Sequence, residues 1–348
     1  MLLPIGLFFY FYRNRFWKLS LSLFFGWISF LFTPSETYDI YRHYEHYDLL
    51  SDDFDFFFNY YFLTQQSDFL LPLLMFIGKS ITLSHKLFFS AVSFFNFYLI
   101  FFFFELCTKI SNYPTVRRIS YLVVLLLSIS YISIYSGVRF YLALSFFLFQ
   151  VYFFYIKKYK ISFIFFALSI FTHFSFLFFG LIPWGVKIFR GSWFIKMIAL
   201  LVLFLTISLL QLIFTEWSLI SYIKDGYLDS QVLNKRVFAW YFFSYSFFIP
   251  CFFIFIFYRK TVDYHLRYLI ILFFIILLIS LSNYVLFDRV VMIFLLLFFF
   301  FLISSDIPLK YLFTYIIFLF PRIIADIYDN FEVYNASLGF LKLFNPLF

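Results

Sequence analysis

Two ionisable side chains stand out because everything around them is apolar. In SGVRFYLALSFFLFQVYFFYIKKYKISFIFFALSIFTHFSFLFF, residues 136–179, Arg139 precedes an apolar run from Phe140 to Ile156, and His173 sits in a second run that begins at Ile161. A guanidinium binds phosphate oxygens bidentately. An imidazole can take up or donate a proton near neutral pH. The pair therefore suits an anionic ligand handled beside a proton-transfer group. Ionic side chains inside apolar runs are rare, and when they occur they usually have a function. Arg289, after Asp288, and Lys235-Arg236 are further cations beside apolar runs. Upstream, TYDIYRHYEHYDLL holds Tyr38, Asp39, Tyr41, Arg42, Tyr44 and Tyr47, interleaved with His43, Glu45, His46 and Asp48.

The elements that must position these groups follow from composition. The chain has 348 residues, 64% hydrophobic and only 13% charged, with mean hydropathy +0.95. Soluble domains carry about 25% charged residues. Apolar runs recur along the whole length without the two-residue alternation of a β-barrel. The expected fold is therefore all-α: one polytopic membrane domain over residues 1–348, with about ten spans. The 66 phenylalanines and 29 tyrosines read as compositional drift. The net charge of +8 comes mainly from short basic turns, so it reports topology and gives no case for nucleic-acid binding. Cys107 and Cys251 have no partner motif and read as buried thiols. The first twelve residues lack a basic start and a small-residue cleavage site, so no cleavable leader is expected.

Sidedness follows from the basic turns. Lys157-Lys158-Tyr159-Lys160 should be cytoplasmic. Two helices then rise from it, placing Arg139 roughly 25 Å and His173 roughly 18 Å above the turn, in the outer half of the membrane. Arg13, Arg15 and Lys18 mark an earlier cytoplasmic turn, and Leu19–Thr33 leads outward. Residues 34–68 form an external acidic loop with 8 of the 18 acidic residues. Within it the tyrosines at 38, 41, 44 and 47 fit an amphipathic helix at the interface. Phe69–Gly78 is too short to cross. Lys86–Cys107 leads in and Ile119–Tyr135 leads out to Arg139. Ile161–Val186 has 26 residues between two basic turns, which favours two short helices meeting near His173. Phe194–Phe214, a second external loop at 215–239, and spans near 240–258, 268–286, 290–303 and 311–320 complete the chain. Asp39, Arg139, His173, Arg236 and Arg289 then gather on the outer face.

Phosphate-binding arginines, a base and an acidic, tyrosine-rich loop suggest a lipid-linked phosphosugar. Arg139 suits the phosphate and His173 the proton transfer, and carboxylates of the acidic loop such as Asp39 can bind sugar hydroxyls. Arg289, Arg236, Tyr38, Tyr41, Arg42 and Tyr44 are the expected substrate-binding residues. No Walker motif, Gly-x-Ser-x-Gly elbow or metal-spaced cluster is present. His43 and His46 lack a third ligand, so neither metal nor cofactor is expected.

GVRFYLALSFFLF, the basic turn and ALSIFTHFSFLFF resemble the core of the EpsG family, Wzy-like bacterial polysaccharide polymerases. TYDIYRHYEHYDLL is similar to that family's Asp-x-x-x-Tyr segment, and SNYVLFDRVVMIFLLLFFFFLI to its later segment running from Asn283 to Arg289. Phe140 stands where the family usually has Gln or Glu. The resemblance implies a membrane glycosyltransferase at the outer face of the bacterial inner membrane. It would join undecaprenyl-pyrophosphate-linked repeat units into an O-antigen, capsular or exopolysaccharide, with Arg139, His173 and Asp39 as catalytic residues: Arg139 and Arg289 on the pyrophosphate, His173 orienting or deprotonating the acceptor hydroxyl, and Asp39 as the rival base. Membrane lipid and a chain-length regulator are the further partners implied. The alternatives are a flippase for the same lipid-linked sugar, which needs polar residues deep in the spans, and a membrane O-acyltransferase using His173.

Overall fold

The computed structural model describes residues 2–11, 16–32, 34, 38–50, 53–55, 57–58, 68–110, 113–188, 248–280 and 284–329. Among these residues there is no strand. In chain order the principal helices are α1 (Leu2–Phe11), α2 (Trp17–Leu31), α3 (Asp39–Leu49), α4 (Leu70–Ser80), α5 (His85–Ile110), α6 (Thr115–Ser128), α7 (Tyr131–Ser136), α8 (Val138–Tyr155), α9 (Tyr159–Thr172), α10 (Phe176–Ile188), α11 (Phe248–Tyr258), α12 (Tyr264–Ser280), α13 (Tyr284–Ser304) and α14 (Leu309–Asp329). Three described helices are long and apolar enough to cross a membrane: His85–Thr108, Val138–Tyr155 and Phe287–Ser304. Shorter apolar helices surround them. The expected span 194–214 and the loop 215–239 with Lys235 and Arg236 lie outside the described residues, as does the tail beyond 329.

Helix α8 is the axis of the bundle, because its neighbours cover it on every side. Phe149 meets Phe102 and Phe103 of α5 and Phe165 of α9. Phe147 meets Phe176 of α10 and Phe273 of α12. Tyr152 meets Phe300 of α13. Offset and edge-to-face aromatic pairs of this kind add about 0.5–1.5 kcal/mol each beyond their burial. Around α8, phenylalanine is thus used as packing.

Small residues set the close contact of α2 with α5. Ser29 Oγ donates to Ser93 Oγ at 2.9 Å, and Ser90 Oγ to the Gly26 carbonyl at 2.6 Å. A Cβ on Gly26 would lie 2.8 Å from Phe94 Cβ, so only glycine allows this approach. Lys18 and Glu105 form a nearly buried ion pair at the other end of the same seam.

The loop from α8 to α9 is tight. Lys157 takes φ 62°, and the Lys158 N–H returns to the Phe153 carbonyl at 2.8 Å while the Lys157 N–H reaches Phe154 at 3.0 Å. This is a Schellman turn with lysine where glycine is usual. Helix α9 climbs from it and stops at His173, and α10 descends again. The Lys187 ammonium ends 3.3 Å from the centroid of the Tyr159 ring. The hairpin broken near His173 is therefore present. Gln150 of α8 fastens it: its Nε2 donates to the Gly180 carbonyl at 2.6 Å, and Ser162 Oγ donates to the Gln150 carbonyl at 2.9 Å.

The segment expected as one span, Ile119–Tyr135, is two helices. α6 ends at Ser128, and Ser130 opens α7 by accepting the Ser133 N–H on its side chain at 3.4 Å. The hydroxyl of Ser130 competes for backbone donors and so restarts the helix in a new direction. The last helix continues through Pro321 to Asp329. Cys107 and Cys251 are buried free thiols, as composition suggested.

Candidate active site

The amphipathic helix α3 forms where the tyrosine spacing placed it. Ile40, His43, Tyr44 and Tyr47 face inward at the spacing of a single helical stripe. Tyr47 Oη donates to the Leu83 carbonyl at 2.9 Å and its ring stacks on Phe88. Asp48 meets His85 Nδ1 at 3.0 Å, and its carbonyl accepts from Lys79 at 3.1 Å. These contacts dock α3 on the corner between α4 and α5 and leave Asp39, at its first turn, facing the start of α8.

Asp39 lines a cleft with Tyr38, Ser133, Ser136, Gly137, Tyr141, Asp288 and Arg289; its space, counting the open mouth, is ≈ 520 Å³. The cleft opens beside α7, a helix of only six residues, whose Ser133 and Ser136 line it. Gly137 sits at its end, where a Cβ would come 3.1 Å from the Ser133 carbonyl oxygen and 3.4 Å from Arg289 Nη1. Arg289 comes from the second turn of α13, with its guanidinium carbon 4.6 Å from the centroid of the Phe140 ring. A cation over an aromatic face is held without consuming its hydrogen-bond donors. Phe140 thus supports Arg289.

Asp39 accepts from Arg42 Nη2 at 2.8 Å, and His43 Nε2 lies 3.4 Å from its other oxygen. Burial by itself raises the Asp39 carboxyl. His43, Arg139 and Arg42 outweigh it and hold the group well below the usual carboxylate range. Asp39 is an anion at any physiological pH. Burial, with His43 and Arg139, pushes the neighbouring His46 below its ordinary value.

Arg139 and His173 stand just behind this cleft. Arg139, in the first turn of α8, donates from Nη1 to Asp68 Oδ2 at 3.2 Å. Asp68 Oδ1 accepts the backbone N–H of Phe174 at 2.8 Å. One carboxylate therefore joins Arg139 to the residue after His173. His173 is buried at the end of α9, with extended backbone and its ring edge-on to Phe140 at 5.9 Å. Its Nδ1 lies 2.9 Å from Ser175 Oγ and 3.4 Å from the Ser175 backbone N–H. A backbone N–H can only donate, so Nδ1 is assigned as the acceptor and the neutral ring carries its hydrogen on Nε2. Arg139, Arg289 and Asp39 all act electrostatically on His173.

Four of the expected residues, Asp39, Arg139, His173 and Arg289, thus converge from α3, α8, the α9–α10 turn and α13. A model of the EpsG family matches residues 19–336, nearly the whole chain. The chain belongs to the EpsG family. No curated protein and no solved structure matches it. EpsG-family membership and the apolar helices make it a multi-pass membrane protein of polysaccharide biosynthesis.

The other expected residues of this EpsG-family chain are distributed differently. Tyr38 lines the cleft. Tyr44 is buried against Phe89 and His85, and burial pushes its phenol up to about 12. Arg42 is exposed and paired with Asp39, and Tyr41 is half-buried; neither these two nor Tyr44 is among the cleft residues. Arg236 lies outside the described residues. Sequence reasoning missed Asp68, Tyr141 and the serines of α7. Asp68 was hidden among eight acidic residues of one loop; its place directly before an apolar helix was the available signal.

Proposed function

We propose that this protein polymerises lipid-linked oligosaccharide repeat units, with the donor's diphosphate bound at Arg289 and Arg139 and the acceptor hydroxyl at Asp39. The observation that carries the reading is the meeting of an anionic Asp39 and the cation Arg289 across one cleft, with Arg139 close enough to act on Asp39. Glycosyl transfer from a lipid diphosphate needs these opposite charges side by side: cations where negative charge grows on the leaving group, and an anion beside the hydroxyl that loses a proton.

In the reaction the acceptor oxygen bonds to the anomeric carbon of the growing chain as the bond from that carbon to the diphosphate oxygen breaks. The diphosphate keeps the electron pair, and Arg289 and Arg139 stabilise its added charge. Asp39, held as an anion by His43, Arg139 and Arg42, accepts a hydrogen bond from the acceptor hydroxyl and orients it, and the hydroxyl proton leaves to solvent as the new bond forms. His173, with its hydrogen on Nε2, acts as a hydrogen-bond donor that orients a sugar or diphosphate oxygen. Tyr38, at the edge of the cleft, offers a face for a sugar ring. The substrate we infer is an undecaprenyl-pyrophosphate-linked repeat unit, met at the outer face of a bacterial inner membrane.

Arg139→Ala, reconstituted with lipid-linked repeat units, should insert normally and make no long chains. Normal chain lengths from that variant would remove the arginine from the mechanism.

A further inference from the structure

Asp68 accepts from both Arg139 and the Phe174 N–H and has no part in the chemistry above. It lies two residues ahead of α4, with its side chain 6% exposed. Its bond to the Phe174 N–H is short at 2.8 Å, whereas its bond to Arg139 is 3.2 Å. Well-made charge-assisted bonds of this kind measure about 2.7–2.9 Å. The carboxylate is thus firmly joined to the His173 turn and more loosely to the guanidinium. A diphosphate offers arginine more oxygens and more negative charge than one carboxylate does.

We propose that Asp68 is a positioning residue that holds Arg139 in place in the empty site, yields it to the diphosphate of the lipid-linked donor, and keeps the His173 turn fixed while it does so. The proposal rests on the preceding reading that the site binds such a diphosphate. It gives Asp68 two opposed effects. Competition for Arg139 weakens ground-state binding of the diphosphate. Preorganisation of Arg139 and of the His173 turn favours turnover, because groups already aligned need not reorganise as charge develops on the leaving diphosphate.

The test uses the full-length protein in nanodiscs, with undecaprenyl pyrophosphate as the binding probe. Polymer formation is measured in cells that carry only the variant. Asp68→Asn removes the charge and keeps the shape. It should bind the probe several-fold tighter than wild type and yield on the order of tenfold less polymer. In an Arg139→Ala background the same change should leave affinity unaltered. A residue that only stabilises the fold would not tighten binding. Should Asp68→Asn fail to fold, Asp68→Ser removes the charge with less bulk and carries the same comparison. Equal or weaker binding by a folded Asp68 variant overturns the proposal and leaves the functional reading standing. No binding of the probe by wild type overturns the functional reading and the proposal with it.

Discussion

Gly180→Ala tests whether the α9–α10 hairpin is packed and fastened as described. A Cβ there would lie 2.4 and 2.5 Å from Cδ2 and Cε2 of Phe166, and 3.0 Å from Gln150 Oε1. Carbon contacts settle near 3.5–4.0 Å, so the helices must part by roughly 1 Å or the ring must turn. Phe166 is buried, which leaves the ring little room. Overpacking of this kind costs about 1–3 kcal/mol. Losing the Gln150 bond to the Gly180 carbonyl adds about 0.5–1.5 kcal/mol. Alanine's better helix propensity returns about 1 kcal/mol. The net expectation is about 0.5–3.5 kcal/mol of destabilisation, read as a fall of up to several degrees in the Tm of the detergent-solubilised protein. Polymer output should fall as well, because His173 sits at the top of the displaced hairpin. Phe166→Leu removes the clashing ring atoms, so the double variant should recover most of the loss. A Gly180→Ala protein as stable as wild type, or a double variant no better than the single one, would refute this account of the hairpin.

Two further outcomes are expected. Lys18 and Glu105 have side chains only 10% and 14% exposed, so Glu105→Ala strands a buried ammonium and should cost about 3–5 kcal/mol, whereas Lys18→Met with Glu105→Leu should be nearly neutral; equal losses in the two variants, measured by thermal unfolding in detergent, would count against the pair. His46 is held below its ordinary value of 6.5 by burial, His43 and Arg139. The folded state therefore resists a proton that the unfolded chain accepts, so stability is full above pH 6.5 and declines as pH falls below it. The Tm should drop between pH 7.5 and 5.0 in wild type and drop less in His46→Gln; identical slopes would argue against the shift.

Much of the site was legible because membrane chains have few ionic groups. Arg139 and His173 were visible against apolar runs, and the basic residues on either side of Ile161–Val186 signalled a hairpin too short for two crossings. The tyrosines of α3 gave its inward stripe, although their spacing could not say which ring would meet solvent: Tyr44 and Tyr47 are packing residues, and Tyr38 reaches the cleft. Other features were invisible for physical reasons. The break at Ser130 involves neither proline nor glycine, and a serine inside an apolar run looks like an ordinary helical residue until its hydroxyl is seen to bond. Lys18 read as a topological marker because its partner Glu105 lies 87 positions away. Asp68 looked like one solvated carboxylate among many, since only the folded chain brings Arg139 and Phe174 to it.

The shortness of the hairpin has an effect beyond the protein. α9 has 14 residues and α10 has 13, so each rises about 20 Å, against about 30 Å for a hydrocarbon core. Phe163, Ile164 and Phe171 are exposed along α9, a face suited to acyl chains. Where this face borders lipid, the neighbouring acyl chains must shorten their reach and the bilayer thins toward the His173 turn. On the proposed function, such thinning would bring head groups to the depth of the arginines and let a long-chain lipid approach sideways with its charged head still among them.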